Sequence, residues 1–457
     1  MEKRKSLAAY AAENGCTYWI ETYGCQMNAH DSERLAGILA SVGFAPAEEM
    51  GQADLILFNT CCVRDNAEKK LFGNVGKLKQ KKRQNKKLLV GVCGCMMQQA
   101  DVAEKLADTF PFVNIIFGTH NMAALPEMLY AAIFLGERTL AVSDQEDLPD
   151  ETPALRAKPP LSAVNIMQGC DNFCSYCIVP YVRGRERSRS SEEILREVRG
   201  LAKAGYQEVM LLGQNVNSYG KGLAENIDFA GLLERVAEET GMKRIRFMTS
   251  HPKDASQRML DVMARHENIC RQLHLPVQSG SSRILRLMNR RYTREDYLEL
   301  IRRVRETLPG MTLSTDIIVG FPGETEEDYQ DTLSLVREVR FDAAYTFVYS
   351  IRRGTRAAAM EGQIDEKEKQ RRIVGLVDLQ GQITYESNLA HVGRRELVLV
   401  EDESRRDAGH VCGRTDGGKM VNFPGEPSLI GQFMPVEITQ AKKTTLYGRR
   451  IDGDTQA

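Results

Sequence analysis

The sequence lacks any apolar run that approaches the length of a membrane-spanning helix. Its first fifteen residues, MEKRKSLAAYAAENG, include basic side chains but no long apolar core and no cleavage signal, so we expect no export. The net charge of −1 indicates no class of binding partner by itself, and the absence of a coiled-coil repeat predicts a monomer. With 42% apolar and 27% charged residues among 457, the composition predicts a globular, cytoplasmic protein without a membrane partner.

Disulfides are rare in the reducing cytosol, so the eleven cysteines favour metal or redox chemistry. Three of them, Cys170, Cys174 and Cys177, lie within eight residues with the spacing C-x3-C-x2-C. No fourth cysteine or histidine follows within 70 residues, which disfavours a structural zinc site with four ligands. Iron–sulfur clusters also bind cysteine thiolates, normally four. Three ligands on a [4Fe-4S] cluster would leave one iron open to a small molecule.

Alternating strand and helix patterns divide the chain into domains. Residues 14–136 predict a parallel α/β domain, and the polar, proline-containing stretch 137–158 predicts a linker. Residues 159–388 predict six βα units, which suit a partial (βα)6 barrel, followed by a bridging helix. Residues 390–454 predict a small β-barrel, because they contain short strands and frequent glycine turns.

Three further cysteines each end a predicted strand of the first domain: Cys25, Cys61 and Cys95. The carboxyl ends of parallel strands form one crevice, so we expect these three thiols to converge. The pattern therefore predicts a second cluster with three protein ligands.

Two neighbouring cysteines leave the identity of these ligands open. An extended backbone would turn Cys62 away from Cys61, whereas Cys93 would share the face of Cys95. We prefer Cys95 because it ends the strand, but Cys62 or Cys93 could substitute for a neighbouring ligand. The remaining three cysteines, which belong to neither predicted cluster, are explained as small buried hydrophobic residues: Cys16, Cys270 and Cys412.

The C-x3-C-x2-C motif, with Tyr176 before its last cysteine and a partial βα barrel after it, resembles the radical S-adenosylmethionine superfamily. The resemblance implies a [4Fe-4S] cluster whose open iron chelates the amino and carboxylate groups of S-adenosylmethionine. One electron then cleaves the sulfonium and releases a 5′-deoxyadenosyl radical. The cofactor performs the difficult chemistry, and the protein positions it and excludes water.

Longer motifs resemble the methylthiotransferase family, and this resemblance covers nearly all of 16–450. One departure is YSIRRGTRA at 349–357, where the family usually has prolines, so we place no substrate contact there. The last barrel resembles a TRAM domain. The matching motifs are TYGCQMN, NTCCVRDNA, GCM, QGCDNFCSYCIVPYVRGRERSR, LLGQNVNSYG, TSHPKD, LHLPVQSGS, MNRRYTREDY and DIIVGFPGET.

The branch with the most similar motifs modifies tRNA. This resemblance implies methylthiolation of C2 of N6-isopentenyladenosine, next to the anticodon, with two [4Fe-4S] clusters and two S-adenosylmethionine molecules. One methyl group goes to a sulfur of the auxiliary cluster, and cleavage of the second molecule activates C2. An electron donor such as a flavodoxin or ferredoxin is implied.

Other functions remain as alternatives. Sister branches of the family methylthiolate an aspartate of a ribosomal protein or threonylcarbamoyl-adenosine in tRNA. A simple electron carrier is disfavoured, because the irons of such proteins are normally fully ligated. A plain RNA-binding module would leave the six cysteines unexplained.

Polar residues after the barrel strands are the predicted contacts of S-adenosylmethionine, since ligands bind at that face of a βα barrel. Glycine, serine and asparagine also favour turns, so each position has a purely structural alternative. The predicted cofactor-binding residues are Tyr176, Gln214, Asn215, Ser250, Gln278, Ser279, Gly320 and Glu324.

Basic stretches predict where RNA binds. Residues 77–87 contain seven basic residues among eleven, although a solvated helix face explains several of them. Residues 183–189 adjoin the predicted radical site, and a base flipped out of a loop would enter between the two clusters. The predicted RNA-binding residues are Arg183, Arg185, Arg187, Arg189, Arg414 and Lys419, with Lys442, Lys443, Arg449 and Arg450 as further candidates.

Overall fold

The computed structural model describes residues 2–62, 67–143, 154–156, 158–248 and 250–451. The chain forms two compact units. The first contains residues 1–157, 168–171 and 178–186, and the second contains residues 158–167, 172–177 and 187–457. Half of the predicted linker 137–158, namely 144–153 and 157, lies outside the described residues. Its first part differs from the prediction, because Thr139–Ala141 forms a strand.

The first unit contains the predicted parallel α/β sheet. Its six strands run in the order β2-β1-β3-β4-β5-β6, and every neighbouring pair is parallel. The strands are β1 (Thr17–Thr22), β2 (Ala45–Pro46), β3 (Leu55–Thr60), β4 (Leu89–Gly94), β5 (Ile115–Phe117) and β6 (Thr139–Ala141). The helices are α1 (Glu2–Asn14), α2 (Gln26–Ser41), α3 (Ala67–Gln84), α4 (Ala100–Thr109), α5 (Leu125–Tyr130) and α6 (Val179–Val182).

Both faces of this sheet are buried, which explains why its strands are almost continuously apolar. In β4, Val90 and Val92 join one apolar cluster, while Leu89 and Cys93 join the cluster on the other side. The helix α1 packs Leu7 into the latter cluster. The first domain therefore begins before residue 14, where the sequence pattern had placed its start.

The second unit begins with the predicted six parallel barrel strands, arranged as two three-stranded sheets in the orders β11-β10-β7 and β12-β13-β14. A bridge between Ile245 and Ile269 links the two halves. These six strands are β7 (Leu161–Asn165), β10 (Glu208–Leu212), β11 (Arg244–Phe247), β12 (Gln272–His274), β13 (Thr312–Val319) and β14 (Ala343–Val348). Two short strands, β8 (Met167–Gln168) and β9 (Arg187–Ser188), form a separate two-stranded sheet. The helices are α7 (Ser191–Lys203), α8 (Phe229–Glu239), α9 (Gln257–Arg265), α10 (Ser282–Leu287), α11 (Arg294–Thr307), α12 (Glu326–Val339) and α13 (Glu366–Leu389).

Local sequence signals start the helices that flank the predicted cofactor face. Thr293 and Asp296 form a capping box at α11, and Thr325 and Asp328 form another at α12. The cap at α11 fixes where the turn after α10 ends, and the cap at α12 fixes where the loop after β13 ends. The part of the chain that the structure describes contains no helix long and apolar enough to cross a membrane.

The C-terminal segment forms a closed five-stranded barrel, as predicted, in the order β15-β16-β17-β19-β18. Its loop at 415–418 covers the amino ends of the partial-barrel strands. Arg246 of β11 donates to the carbonyl oxygens of Thr415 (2.7 Å) and Asp416 (2.8 Å). The predicted cofactor residues lie at the opposite, carboxyl ends of these strands. The barrel strands are β15 (Arg395–Glu403), β16 (His410–Arg414), β17 (Met420–Pro424), β18 (Phe433–Ala441) and β19 (Leu446–Arg450).

Candidate functional site

The first unit gathers cysteine thiols at the carboxyl edge of its sheet. Cys25 precedes α2, Cys61 follows β3 and Cys95 follows β4. A hydrogen bond with Cys61, supported by the first-turn amide groups of α2, lowers the pKa of Cys25 to about 6. Cys25 is exposed, whereas the other two are buried. The thiols that topology predicted to converge therefore lie at one edge of one sheet.

A fourth thiol joins this group. Cys62 hydrogen-bonds with Cys95, which lowers the pKa of Cys95 and raises that of Cys62. Both side chains belong to the same apolar cluster. The expectation that Cys62 turns away is therefore wrong, because β3 ends at Thr60 and the extended alternation does not continue. Cys62 is available as an alternative ligand.

Cys93 lies on the other face of the sheet. It packs into the cluster of α1 and α2, and burial raises the pKa of its thiol. The predicted alternation with Cys95 fails at Gly94, whose φ of +98° turns the chain. A Cβ atom at Gly94 would lie 2.4 Å from the Oδ1 atom of Asn59, so only glycine fits this turn. Cys93 and Cys95 therefore do not share a face.

Arg183 is a buried partner of Cys95. Its Nε atom lies 3.1 Å from the Sγ atom of Cys95, and its Nη2 atom donates to Asp31 at 2.5 Å. The short helix α6 anchors it, because Val182 packs in the apolar cluster of Cys95 and accepts a hydrogen bond from Thr119. Arg183 was predicted to contact RNA, whereas in the structure it is buried and pairs with Asp31.

The C-x3-C-x2-C loop is held by backbone contacts in each unit. In the first unit, the amide of Cys170 donates to Gly184 at 3.2 Å. In the second unit, the amide of Cys177 donates to the carbonyl oxygen of Cys174 at 2.9 Å. Ser175 donates from its amide to Met288 at 3.0 Å. These bonds fix the loop although it has no regular secondary structure.

Arg290 was not singled out from the sequence, yet it contacts this loop. Its Nη1 atom lies 3.5 Å from the Sγ atom of Cys174, and its Nη2 atom donates to the carbonyl oxygen of Pro276 at 2.6 Å. Tyr176 lies beside it, and burial raises the pKa of that phenol. The only sequence signal was the motif MNRRYTREDY, which contains Arg290.

Three of the predicted cofactor positions present a buried oxygen that has no hydrogen-bond partner in the described residues. These atoms are Gln214 Oε1, Ser250 Oγ and Glu324 Oε1. Each follows the carboxyl end of a barrel strand. An unsatisfied buried polar atom costs about 1–3 kcal/mol, so native proteins rarely leave one without a ligand or water. The donors of S-adenosylmethionine fit this set of acceptors.

Other predicted cofactor positions hold the loops themselves. Asn215 donates to Asp254 at 2.7 Å and accepts from the amide of His251 at 3.0 Å. Ser279 accepts from the amide of Ser281 at 3.2 Å. For these residues the structural role is the one that the contacts support.

The turn at 320–324 is locked by a buried carboxylate. Glu324 accepts from the amide of Gly320 at 2.6 Å and from Arg372 at 2.7 Å. Gly320 has a φ of +73°, which favours glycine. Gln278 also has a positive φ of +74°, and its amide donates to Asp316 at 2.8 Å. The turn leaves one oxygen of Glu324 for a ligand.

The predicted RNA contacts on the arginine-rich stretch have different environments. Arg185 and Arg187 are exposed, and Arg185 pairs with Asp171 at 3.0 Å. Arg189 is half-buried and donates to Asn165 and to Glu197, at 2.7 and 2.8 Å. Arg189 therefore supports the interior of the second unit.

The predicted contacts in the C-terminal barrel are also paired. Lys419 lies 3.3 Å from Asp342 and donates to Ser387 at 3.0 Å, and burial lowers its pKa. Lys419, which was predicted to bind RNA, therefore packs against the partial barrel. Arg414 pairs with Glu401. The exposed basic residues of this barrel include the four further candidates Lys442, Lys443, Arg449 and Arg450.

The basic stretch 77–87 lies mostly on α3. Lys81 donates to the carbonyl oxygen of Gly51 at 2.6 Å, and Lys82 donates to that of Leu88. These contacts favour the structural alternative for two of its seven basic residues.

Family models match three segments of the chain. The radical SAM superfamily matches 164–336, uncharacterized protein family UPF0004 matches 17–118 and the TRAM domain matches 390–451. Among solved structures, the radical S-adenosylmethionine methyltransferase TsrM from Kitasatospora setae has a TM-score of 0.54 at 16% identity. That alignment covers 75% of this chain and 77% of TsrM. At this identity the likeness shows the fold alone, and it confirms the predicted fold class.

Curated relatives match almost the whole chain, and each is named tRNA-2-methylthio-N(6)-dimethylallyladenosine synthase. The protein of Clostridium perfringens is 50% identical over 95% of this chain and 98% of the relative. That of Pelotomaculum thermopropionicum is 52% identical over 94% and 97%. That of Alkaliphilus oremlandii is 48% identical over 98% and 95%. The chain therefore belongs to the tRNA-2-methylthio-N(6)-dimethylallyladenosine synthase family.

Proposed function

We propose that this protein methylthiolates C2 of N6-isopentenyladenosine, next to the anticodon of tRNA, in a radical reaction that uses S-adenosylmethionine. The observation that supports it most directly is the presence of two separate thiol sites. One lies at the edge of a parallel sheet, and the other lies in the loop that opens a partial barrel. An enzyme that only generated a radical would need the second site alone.

We assign one [4Fe-4S] cluster to each site, which gives two in all. Cys25, Cys61 and Cys95 would hold the auxiliary cluster, because they follow neighbouring strands at one sheet edge. The thiol chemistry fits, since iron–sulfur clusters bind cysteine thiolates. Arg183 donates from Nε toward the sulfur of Cys95, and Asp31 neutralises the guanidinium and fixes its orientation.

The second cluster would be held by Cys170, Cys174 and Cys177, and its open iron would take S-adenosylmethionine. When bound, this pair supplies the radical that activates C2, a carbon that has no acidic proton. The chain orients the cofactor with the unpartnered oxygens of Gln214, Ser250 and Glu324. The buried strands around them exclude water.

The second unit also offers an aromatic surface for the base. Tyr345 and Phe347 lie on β14 and are 53% and 46% exposed, although both are large and apolar. The ring of His274 meets that of Tyr345 edge-on at 5.8 Å. Unpaired bases stack on such side chains, and a loop nucleotide is the cheapest to flip out. The exposed basic residues of the C-terminal barrel would bind the phosphates.

We further propose that the protein acts as a cytoplasmic monomer. Its electrons would come from a small donor such as a flavodoxin or ferredoxin. The donor must deliver one electron at a time, because the reductive cleavage consumes one.

A substrate comparison tests this function. Anaerobically reconstituted protein, reductant and S-adenosylmethionine are incubated separately with isopentenylated tRNA, threonylcarbamoylated tRNA and ribosomal protein. Mass spectrometry should detect the methylthio product only with isopentenylated tRNA. Cleavage of S-adenosylmethionine with product on another substrate would instead assign the protein to a sister activity. The Cys412→Ala variant serves as a cysteine control and should give the same result as the parent protein, because Cys412 lies in β16 of the C-terminal barrel.

A further inference from the structure

Arg290 is a buried cation beside the radical-site loop. Its side chain is 4% exposed and lies in the turn between α10 and α11. All three nitrogens of the guanidinium are engaged: Nε donates to the hydroxyl of Tyr292 at 2.9 Å, Nη2 to Pro276 at 2.6 Å, and Nη1 approaches Cys174 Sγ at 3.5 Å. The turn is itself tied to the loop, since Asn289 donates to the carbonyl oxygen of Phe173 at 3.0 Å.

Among the residues that the structure describes, the hydrogen-bond partners of Arg290 include no carboxylate. Within the part of the chain that the structure describes, the ionisable groups that act most strongly on it are Tyr292, Tyr176 and Cys174. His251 also lies close, but burial and the positive charge of Arg290 lower its pKa, so it is neutral. Burial of an uncompensated charge is costly, and buried cations are normally paired. Cys174 is therefore the contacting residue that would supply the opposite charge when its sulfur holds an anionic cluster.

Arg183 in the first unit has a different charge balance. It also contacts a cysteine, but Asp31 neutralises it at 2.5 Å. The pair carries no net charge, whereas among the described residues no carboxylate neutralises Arg290, so its charge would act on the group that Cys174 binds. The two cysteine sites thus contain the same residue type with different net electrostatic effects.

We propose that Arg290 is a positioning residue that raises the reduction potential of the cluster bound by Cys170, Cys174 and Cys177. This inference rests on the cluster assignment made above. In the reduction step the cluster gains one electron from the donor, no bond forms or breaks, and no proton moves. Arg290 stays protonated throughout, so its charge stabilises the more negative, reduced cluster. Its hydrogen bond toward Cys174 Sγ also fixes that ligand.

The test measures a potential without tRNA. The full chain carries Cys25→Ala, Cys61→Ala and Cys95→Ala, so that only the second cluster assembles, and dithionite titration is followed by electron paramagnetic resonance. We expect Arg290→Gln to reduce the equilibrium constant for one-electron reduction at least tenfold, a shift of about 59 mV to lower potential. Arg290→Lys keeps the positive charge, so its potential should lie close to that of the parent.

Arg291→Gln is the matched control, because Arg291 is the next residue of the same turn and is exposed. Its potential should equal that of the parent. An unchanged potential in Arg290→Gln, with full iron content, would overturn the proposal.

Arg290→Gln could instead lose the cluster. In that case, retention of iron by Arg290→Lys would show that the site requires a positive charge. Equal loss of iron from Arg290→Gln and Arg290→Lys would overturn the proposal. If the chain with all its cysteines failed to methylthiolate tRNA while Arg290→Gln still lowered the potential as expected, only the proposed function would be contradicted.

Discussion

Arg183 donates to Asp31 at 2.5 Å and holds its Nε atom 3.1 Å from the Sγ atom of Cys95. The residue belongs to an arginine-rich stretch that the sequence associates with RNA, but the structure buries it in the first unit. Its charge is therefore used inside the protein, at a cysteine that we assign to the auxiliary cluster.

Removal of Arg183 should destabilise the protein. Arg183→Gln leaves the carboxylate of Asp31 buried without its partner, which typically costs about 3–5 kcal/mol. Urea unfolding of the metal-free chain measures this loss. Arg185→Gln is the control, since Arg185 is exposed and its pair with Asp171 contributes at most about 1 kcal/mol. Equal effects of the two substitutions would show that the pair with Asp31 contributes little.

Cys62 should partly replace Cys95 as a ligand. The two thiols share a hydrogen bond, so Cys95→Ala leaves a thiol within reach of the same position. We expect Cys95→Ala to keep part of the auxiliary iron and the double variant Cys62→Ala/Cys95→Ala to lose it. Iron and sulfide analysis after reconstitution measures both, and Cys93→Ala is the control on the opposite sheet face. Identical iron content in the single and double variants would rule out the substitution.

Glu324→Gln should weaken binding of S-adenosylmethionine about tenfold, because it removes the charge next to the unpartnered Oε1 atom. Burial raises the pKa of Glu324, so protonation begins at a higher pH than for an ordinary glutamate. The ionised form binds the amino group, so affinity should fall as the pH drops through this raised pKa. Calorimetry at several pH values should show this fall in the parent and not in the variant.

The matched control for Glu324 is Glu326→Gln, which removes an exposed carboxylate that pairs with Arg371. It should leave the affinity for S-adenosylmethionine unchanged. Unaltered affinity in Glu324→Gln would remove Glu324 from the cofactor site.

The exposed lysines of the C-terminal barrel should dominate its RNA binding. Lys443→Ala should weaken tRNA binding and reduce the slope of log K against log salt by about 1, because one phosphate contact is lost. Lys419→Ala should leave the slope unchanged, since that side chain already pairs with Asp342. Filter binding across a salt series gives both slopes. The reverse ranking would place the RNA on the other side of this barrel.

Topology was enough to locate the cysteines of the first unit. Cys25, Cys61 and Cys95 end successive predicted strands, and parallel strands present their carboxyl ends on one edge. Strand topology could not predict the direction in which a side chain points after its strand has ended. Cys62 joins the thiols because β3 ends at Thr60, and Cys93 leaves them because Gly94 turns the backbone.

Long-range pairing of charged residues was also beyond the sequence. Lys419 contacts Asp342, and Arg183 contacts Asp31, across 77 and 152 positions of the chain. From the sequence, a basic residue in a basic stretch is equally consistent with a contact to a phosphate and with an internal ion pair. Only the packing of α6 and of the C-terminal barrel distinguishes the two.

The two cysteine sites should contribute to different steps of the reaction. One anaerobic reaction with isopentenylated tRNA, analysed by mass spectrometry for 5′-deoxyadenosine and for 2-methylthio-N6-isopentenyladenosine, tests it in three proteins. We expect both products from the parent, 5′-deoxyadenosine alone from Cys25→Ala, and neither from Cys170→Ala. Formation of the methylthio nucleoside by Cys25→Ala at the parent's yield would contradict it.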